Sequence, residues 1–573
     1  MTKQRILMTL IGLCLLTAAR AIDREAAFRR LIGASADNPA DATWLITNPS
    51  FETGDMTGWT SASSNTDYLG DGTDPEVAVR SDSTYLITGM DADNLFNAYL
   101  WWAPTLTVSQ AVADVPCGDY ELSAVVCTWE GRDVYLAANG ASVHATGQGD
   151  ATGIRVSLPV SVQPDGQLRI TAGSNGQWWV AGHESETRTF FKLDDVRLSC
   201  TRLYETEEKG TFTAAALNVD GLPQAVAGIS LNADGPGSDG TKLISRYLAE
   251  KGYDIIGVSE DFNYHGSLME SLNDSYSSGT VRATLSVGGI FSGFPFDTDG
   301  LNLIWKTATT TASGESWTRW TETTKTDGNQ YVKKGFRHYD VAVCGSEMID
   351  VYVLHMDAGD AVSSRQAQWQ QLDDAVNSAN NRRPKLIIGD TNSRWTREEI
   401  GACFTDRLNG CSVGDPWVIY WRDGVTPTTA MGDLTDQSVP ADFSRYEVVD
   451  KLLFVNPATA DGLKLWPKNF RIEQDYTYGH VQGTDDATPL GDHRPAVVDF
   501  DLVYLKEVTT VVGDVNRDGL ITIADVAAQL QILLGHAADA DYDRYAADLD
   551  RDGLVTHADV TALVSRILGE VKD

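Results

Sequence analysis

The 573-residue chain reads as a multidomain protein: an antiparallel β-sandwich, then a mixed α/β block, then a short duplicated helical unit. Three observations predict this. Residues 43–200 hold short alternating segments separated by turn signals, as half-buried antiparallel strands do. Residues 210–503 alternate continuous apolar runs with helical periodicity, the pattern of α/β or α+β domains. Residues 511–573 repeat one motif at a fixed offset.

Ahead of the sandwich, Lys3 and Arg5 precede an apolar run from Ile6 to Leu16, and Ala19-Arg20-Ala21 fits a cleavage site. Residues 1–21 are therefore expected to be a secretory signal peptide. Cys14 follows Leu13 rather than a small residue, which argues against a lipoprotein anchor. The run is shorter than the roughly 20 residues that span a bilayer, and no later stretch reaches that length. The mature chain is expected to be exported and soluble, with no transmembrane segment. Residues 22–42 form a leader, helical over about 23–36.

Composition narrows the function classes. Lys and Arg number 45 against 80 Asp and Glu, for a net charge of −35 and a pI near 4.5. Tight non-specific nucleic-acid binding needs clustered cationic side chains, so this balance disfavours it. A hydrophobic content of 42% excludes wholesale disorder. Outside the signal, Cys117, Cys127, Cys200, Cys344, Cys403 and Cys411 are too sparse for a disulfide scaffold, and no spacing suggests zinc. Cys117 and Cys127 lie at opposite ends of one strand, roughly 30 Å apart, too far to pair. Cys403 and Cys411 are near enough in sequence to close a small loop.

In the first block, Tyr120 to Val126 and Leu168 to Ala172 alternate as strands, with turns at Asp71-Gly72 and Pro164-Asp165-Gly166. The opening Asn48-Pro49-Ser50-Phe51-Glu52 with Gly58-Trp59, and the closing Phe191 to Leu198, resemble the two ends of the galactose-binding-like jelly roll, a fold of many carbohydrate-binding modules. By that resemblance Glu52 and Asp195 would be ligands of a structural calcium. Trp101, Trp102, Trp178 and Trp179 would either stack on sugar rings or fill the core, since paired tryptophans on a strand face opposite ways. A carbohydrate partner is one reading; a purely structural module is the other.

In the last block, Asp514-x-Asn516-x-Asp518-Gly519-x-x-Thr522-x-x-Asp525 recurs 34 residues later as Asp548-x-Asp550-x-Asp552-Gly553-x-x-Thr556-x-x-Asp559. Oxygen ligands at positions 1, 3 and 5, a glycine at 6 and a backbone carbonyl at 7 (Leu520, Leu554) suit a hard Ca²⁺ ion. Position 12 is Asp where an ordinary EF-hand has Glu. Two such loop-helix units resemble a type I dockerin, a small all-α calcium-binding repeat. The resemblance implies a cohesin-like partner; the alternative is a calcium-stabilised tail with no partner.

The central block carries its signal as an ordered series of strand ends. Ala216-Leu217-Asn218 ends in an amide, Ile255 to Ser259 runs into Glu260, and Asp299-Gly300-Leu301-Asn302 follows. Val353-Leu354-His355 precedes a helix over 362–378 bearing Arg365 and Gln368. Then come Gly389-Asp390-Thr391-Asn392, Val449-Asp450-Lys451 and Gly491-Asp492-His493-Arg494.

Together these resemble the endonuclease/exonuclease/phosphatase superfamily, over nearly the whole block. The resemblance implies a four-layer α/β/β/α sandwich and a phosphoester hydrolase. Phosphate-ester hydrolysis needs a hard cation, an activated water and donors for developing charge. By the resemblance, Asn218 and Glu260 would hold Mg²⁺ or Mn²⁺, with Asp492 at the metal. His493 would be the general base, oriented by Asp450. Asp390 and Asn392 would orient water and phosphate. His355 would bind a phosphoryl oxygen or assist the leaving group, with Asp299 as its orienting partner. Arg365 would anchor a phosphate, or else pin its helix to the sheet beside Gln368. Gly491 stands where Ser is common, a change that removes no ligand. His265 and His338 lie outside the pattern.

The His355-x-Asp357 and Arg365-x-x-Gln368 pairs look closer to sphingomyelinases and inositol phosphatases than to secreted DNase I. Trp317 and Trp320, in a Thr-rich insertion at 308–330, would serve a membrane-facing hairpin or ordinary packing. The expected function is a secreted metal-dependent phosphodiesterase acting on a phospholipid, a nucleic acid or an inositol or sugar phosphate. The competing readings are an inactive scaffold or adhesion protein on the same folds, and a carbohydrate-active hydrolase. All the metal and base positions are present, which disfavours the scaffold. The central carboxylates sit in phosphoesterase motifs rather than as an unassigned glycosidase pair, which disfavours the hydrolase.

Overall fold

The strand Ile154–Val162 alternates exposed and buried residues, so Val156, Leu158, Val160 and Val162 turn inward and Arg155, Ser157, Pro159 and Ser161 face out. Among the described residues its one ladder is to Gly118–Cys127, and Pro159 is tolerated because a strand paired on one side has N–H groups to spare. This is the local logic of the first of two units in a computed structural model that describes residues 22–569 apart from 64–75, 82–84, 92, 102–104, 176, 179–186, 227–228, 231, 283–297, 327–328, 330–331, 380–381, 423, 428–446, 460 and 537–541. The expected signal peptide lies outside the described residues.

The units are Met1–Thr206 with Asp423–Val425 and Lys506–Asp573, and Glu207–Arg422 with Thr426–Leu505. In the first, helix α1 (Arg24–Leu31) starts at Asp23, whose carboxylate accepts from the N–H groups of Glu25 and Ala26. It buries Ala27 and Leu31 in the same core as Phe51, Phe96, Leu122, Leu136, Ile170 and Phe191. Five antiparallel strands, Thr60–Ser63, Thr105–Val112, Leu168–Asn175, Asp133–Ala138 and Ala141–Thr146, form one sheet in that order. Gly118–Cys127 and Leu95–Trp101 pair with the long strand β1 (Thr187–Asn218) in another.

Strand β1 carries the chain into the second unit, where its last residues pair in parallel with β2 (Ile255–Ser259). β2 in turn pairs antiparallel with β3 (Asn302–Lys306). A second sheet is built on β4 (Gly335–Val343), β5 (Glu347–His355), β6 (Lys385–Asp390) and β7 (Asp450–Pro457). The return strand β8 (Ala496–Glu507) joins the first sheet. Helix α2 (Gly237–Lys251) packs Ile244, Tyr247 and Leu248 on Ile256 and Val258, while α3 (Val362–Ser378) packs Trp369, Leu372 and Val376 on Leu354 and Ile387. Ile255, Leu386 and Ile388 turn the other way, into a cluster shared with Leu303, Val351 and Phe500. Continuous apolar runs are what strands covered on both faces require. Gly257 is needed where the sheets meet, because a Cβ there would lie 2.7 Å from Ile388 Cγ2.

The C-terminal repeat has its own small core of Val515, Val526, Ile532 and Leu563 between helices α4 (Ile523–Leu533) and α5 (His557–Ile567). Among the described residues no helix is long and apolar enough to cross a membrane. Cys403 and Cys411 are free thiols and do not close the loop between them; Cys411 instead begins a short strand paired with β7. Trp320 is interior, its Nε1 donating to His355 O at 2.8 Å, and Trp317 lies 4.0 Å from the Arg282 guanidinium.

Candidate active site

The strand ends place the polar residues in one row. His355 closes β5 opposite Asp390 at the end of β6, and Asp390 is opposite Asp450 at the start of β7. In the other sheet Asn218 is opposite Ser259, the residue before Glu260. Two carboxylates directly across a ladder repel. His493 relieves this: its Nδ1 is 2.6 Å from Asp450 Oδ2, and its Nε2 is 3.9 Å from Asp390 Oδ2. Asn218 bridges the sheets, its Nδ2 donating to Asp390 Oδ2 at 3.1 Å and to Glu260 Oε1 at 3.2 Å.

The backbone holds these groups at some cost. Glu260 and Asn392 have φ of 61° and 49°, left-handed values that side chains other than Gly rarely adopt and that cluster at functional sites. Asn392 N–H donates to Asp390 Oδ1 at 2.9 Å, which orients that carboxylate. Asp492 is exposed beside His493.

Burial sets the charges. Desolvation pulls the His493 imidazole down, but Asp450, with Asp390 and Asp492 beyond it, outweighs that and lifts it well above the ordinary histidine range. Desolvation opposes ionisation of Asp390, yet His493, His355 and Lys334 hold it below the usual carboxylate value. Glu260 keeps 21% of its side-chain surface, yet desolvation pushes its carboxyl up to about 7.

Lys334 was not legible in the sequence. It is buried, with Nζ 2.9 Å from both His355 Nε2 and Met356 O, and desolvation lowers it against the pull of Glu260 and Asp390. His355 Nε2 is also 3.6 Å from Asp390 and 3.8 Å from Glu260, while its buried Nδ1 has no hydrogen-bond partner among the described residues.

Three expected assignments meet other partners. Asp299 is gripped by Arg337 at 2.7 and 2.9 Å, so it orients that arginine and not His355. Arg365 is fully buried, with Glu399 at 2.7 Å and the carbonyls of Asp357 and Gly359 accepting from its Nη1. It braces α3 and presents no N–H to a phosphate. Glu52 accepts from Asn94, and Asp195 is balanced by Arg155 and Arg197, so at Asp195 arginines supply the countercharge expected from a calcium ion. His265 pairs with Asp261 and His338 with Asp350, both outside the row. Trp102 and Trp179, and the side chains of Trp101 and Trp178, lie outside the described residues.

In the C-terminal loops, Asp514 accepts from Asp518 N–H and Gly519 N–H, and Asp548 accepts from Asp552 N–H and Gly553 N–H. Oxygens of Asp548, Asp550 and Asp552 lie within 4.8 Å of one another. Asn516 and Leu520 N–H groups close the first loop onto Asp525 and Asp518, and Leu554 N–H closes the second onto Asp552. Thr522 and Thr556 each form a capping box with Asp525 and Asp559.

Residues 512–568 match the family model of the dockerin type I domain. The chain is similar to curated sphingomyelinases of Mycobacterium bovis and Mycobacterium tuberculosis, 25% identical over 294 residues, or 51% of this chain and 53% of theirs. It thus spans about half the length of the curated relatives it matches. Among solved structures, an endonuclease/exonuclease/phosphatase from Bacteroides vulgatus is 14% identical, covering 51% of this chain and 99% of that one at a TM-score of 0.35. A CBM61 module in complex with β-1,4-galactotriose is 19% identical, covering 27% and 96% at a TM-score of 0.21.

Proposed function

We propose that the chain is an exported, divalent-metal-dependent phosphodiesterase. Residues 210–503 form its catalytic block, a four-layer α/β/β/α sandwich. It is carried behind a signal peptide (1–21) and leader (22–42), between a galactose-binding-like jelly roll (43–200) and a calcium-binding, dockerin-like repeat (511–573). The observation that carries this reading is the His493–Asp450 pair at 2.6 Å, set beside Asp390 and within one cluster with Asn218 and Glu260. The similarity to sphingomyelinases supports a phosphodiester as the bond broken.

The residues that would hold Mg²⁺ or Mn²⁺ carry hard oxygens: Glu260, Asp492 and the Asn218 amide, whose Oδ1 also accepts from Asp220 N–H while its Nδ2 faces Glu260. Bound there, the ion supplies charge for a phosphoryl oxygen. The chain's residues do the rest. Asp450 holds the proton on His493 Nδ1, which leaves Nε2 to accept one from water. Asp390 and Asn392 orient that water and the phosphate. His355, whose Nε2 edge is turned to Asp390 and Glu260, meets a phosphoryl or leaving-group oxygen. In the C-terminal loops the oxygen-rich ring fits Ca²⁺, and a cohesin-like protein is the partner proposed for that repeat.

The test is turnover of bis-p-nitrophenyl phosphate, sphingomyelin, DNA and inositol phosphates with Mg²⁺, Mn²⁺ or Ca²⁺. We expect metal-dependent turnover that chelation abolishes and that His493→Ala lowers by about 10²-fold or more. Full activity in that variant would overturn the mechanism. No turnover of any phosphoester would leave the scaffold reading.

A further inference from the structure

Glu260 keeps its left-handed backbone, at a φ of 61°, between two anchored neighbours. On one side Ser259 ties it to the second sheet: the hydroxyl donates to Leu354 O at 3.1 Å and accepts from Asp390 N–H at 3.3 Å. On the other side Asp261 is buried, and its N–H donates to Gly300 O at 2.9 Å. The Glu260 carbonyl accepts from the N–H groups of Gly221 and Phe262. Gly221 comes so close that a Cβ there would lie 2.3 Å from that oxygen.

A buried carboxylate needs partners of its own. Asp261 finds them in His265, four residues on, whose Nδ1 is 2.5 Å from Oδ2, and in Asn302 Nδ2 at 3.5 Å. His265 is held from its far side by Ser278, whose Oγ is 3.1 Å from Nε2. A carboxylate oxygen only accepts, so Nδ1–H donates to Asp261 and Nε2 faces the Ser278 hydroxyl as acceptor. A line of contacts therefore runs from the strand end at Ser278 through His265 and Asp261 to the backbone of Glu260.

We infer that His265 is a positioning residue for Glu260: through Asp261 it fixes the backbone that aims the Glu260 carboxylate, and so sets how tightly the site holds a divalent ion. The inference rests on the metal site of the phosphodiesterase reading and deepens it. Removing a partner that orients a ligand in this way typically costs about 10–100-fold in metal affinity. The geometry also separates two conservative replacements. The Asn amide can place an N–H where Nδ1–H lies, towards Asp261, whereas the longer Gln amide reaches the place of Nε2, towards Ser278.

The test is Mn²⁺ titration of the full chain by electron paramagnetic resonance, with Ca²⁺ present to fill the C-terminal loops. The site concerned is the one that Glu260→Gln removes. His265→Ala and His265→Gln should each weaken it about tenfold or more, while His265→Asn should keep most of the affinity. His338→Ala breaks a comparable pair, with Asp350 at 3.3 Å, and should leave Mn²⁺ binding unchanged. A general loss of packing would lower the melting temperature in all these variants without sorting Asn from Gln. Unaltered affinity in His265→Gln, or equal weakening in Asn and Gln, would overturn the inference, even if His265→Ala does not fold. Absence of any Mn²⁺ site that depends on Glu260 would overturn it together with the metal site. The expected order of affinities without turnover of any phosphoester would uphold the inference and remove the phosphodiesterase reading alone.

Discussion

His493 illustrates how one contact sets a pH dependence. A general base works only when neutral, and Asp450 raises the imidazole well above its ordinary range. The kcat/KM profile should therefore climb with pH along a limb that Asp450 places. Asp450→Asn removes that charge, so the limb should move to lower pH by about one unit or more while the plateau falls. An unmoved limb would show that His493 does not report on Asp450. Arg365 is the opposite case, a residue whose charge is purely internal. Arg365 and Glu399 are both fully buried at 2.7 Å. Deleting one member of a buried pair costs about 3–5 kcal/mol because the other charge is stranded. Arg365→Ala should lower the denaturant midpoint by that amount, and Arg365→Met/Glu399→Leu should recover most of it. A raised KM with stability intact would restore Arg365 as a phosphate anchor.

Elements explain what could be read from the sequence. Strand ends were legible because an apolar run that stops at a polar residue is a local pattern: Leu217 before Asn218, Leu354 before His355, Gly389 before Asp390. The helix over 362–378 was legible from its period and is Val362–Ser378. Pairings across elements were not. Lys333 and Lys334 are indistinguishable in sequence, yet only Lys334 is buried against His355. Asp299 sits in a motif position that suggests a histidine partner, but Arg337, 38 residues on, reaches it first. Glu399 carries no local signal at all, because its role exists only once α3 lies over β6. The capping boxes are legible and testable. Thr522 and Thr556 each cap a helix from a Ca²⁺-type loop. Thr522→Ala should cost about 1 kcal/mol of the repeat's stability. Asp525→Ala should cost more, since Asp525 also accepts from Asn516 N–H within the loop. A smaller loss for Asp525→Ala in thermal melts would separate helix capping from loop closure.

For the whole molecule, the net charge of −35 at first only disfavours nucleic acid. Its distribution says more. Seven acids, Asp514, Asp518, Asp525, Asp548, Asp550, Asp552 and Asp559, converge on two loops of one small repeat, where backbone N–H groups meet them. Such dipoles offset like-charge repulsion only in part, so the repeat gains most from a cation that its folded form alone can hold. A ligand at 100 times its Kd adds about 2.7 kcal/mol to the folded state. Melting of the full chain, followed by a probe within 512–568, should therefore rise in Ca²⁺ and fall back on chelation. Mg²⁺ should not replace Ca²⁺, because it demands a tighter octahedral shell than these loops offer. Asp514→Ala/Asp548→Ala removes the first ligand of both loops and should abolish the rise. Stabilisation that survives both substitutions would mean that the acids of this repeat are a solvated surface and that the calcium acts elsewhere.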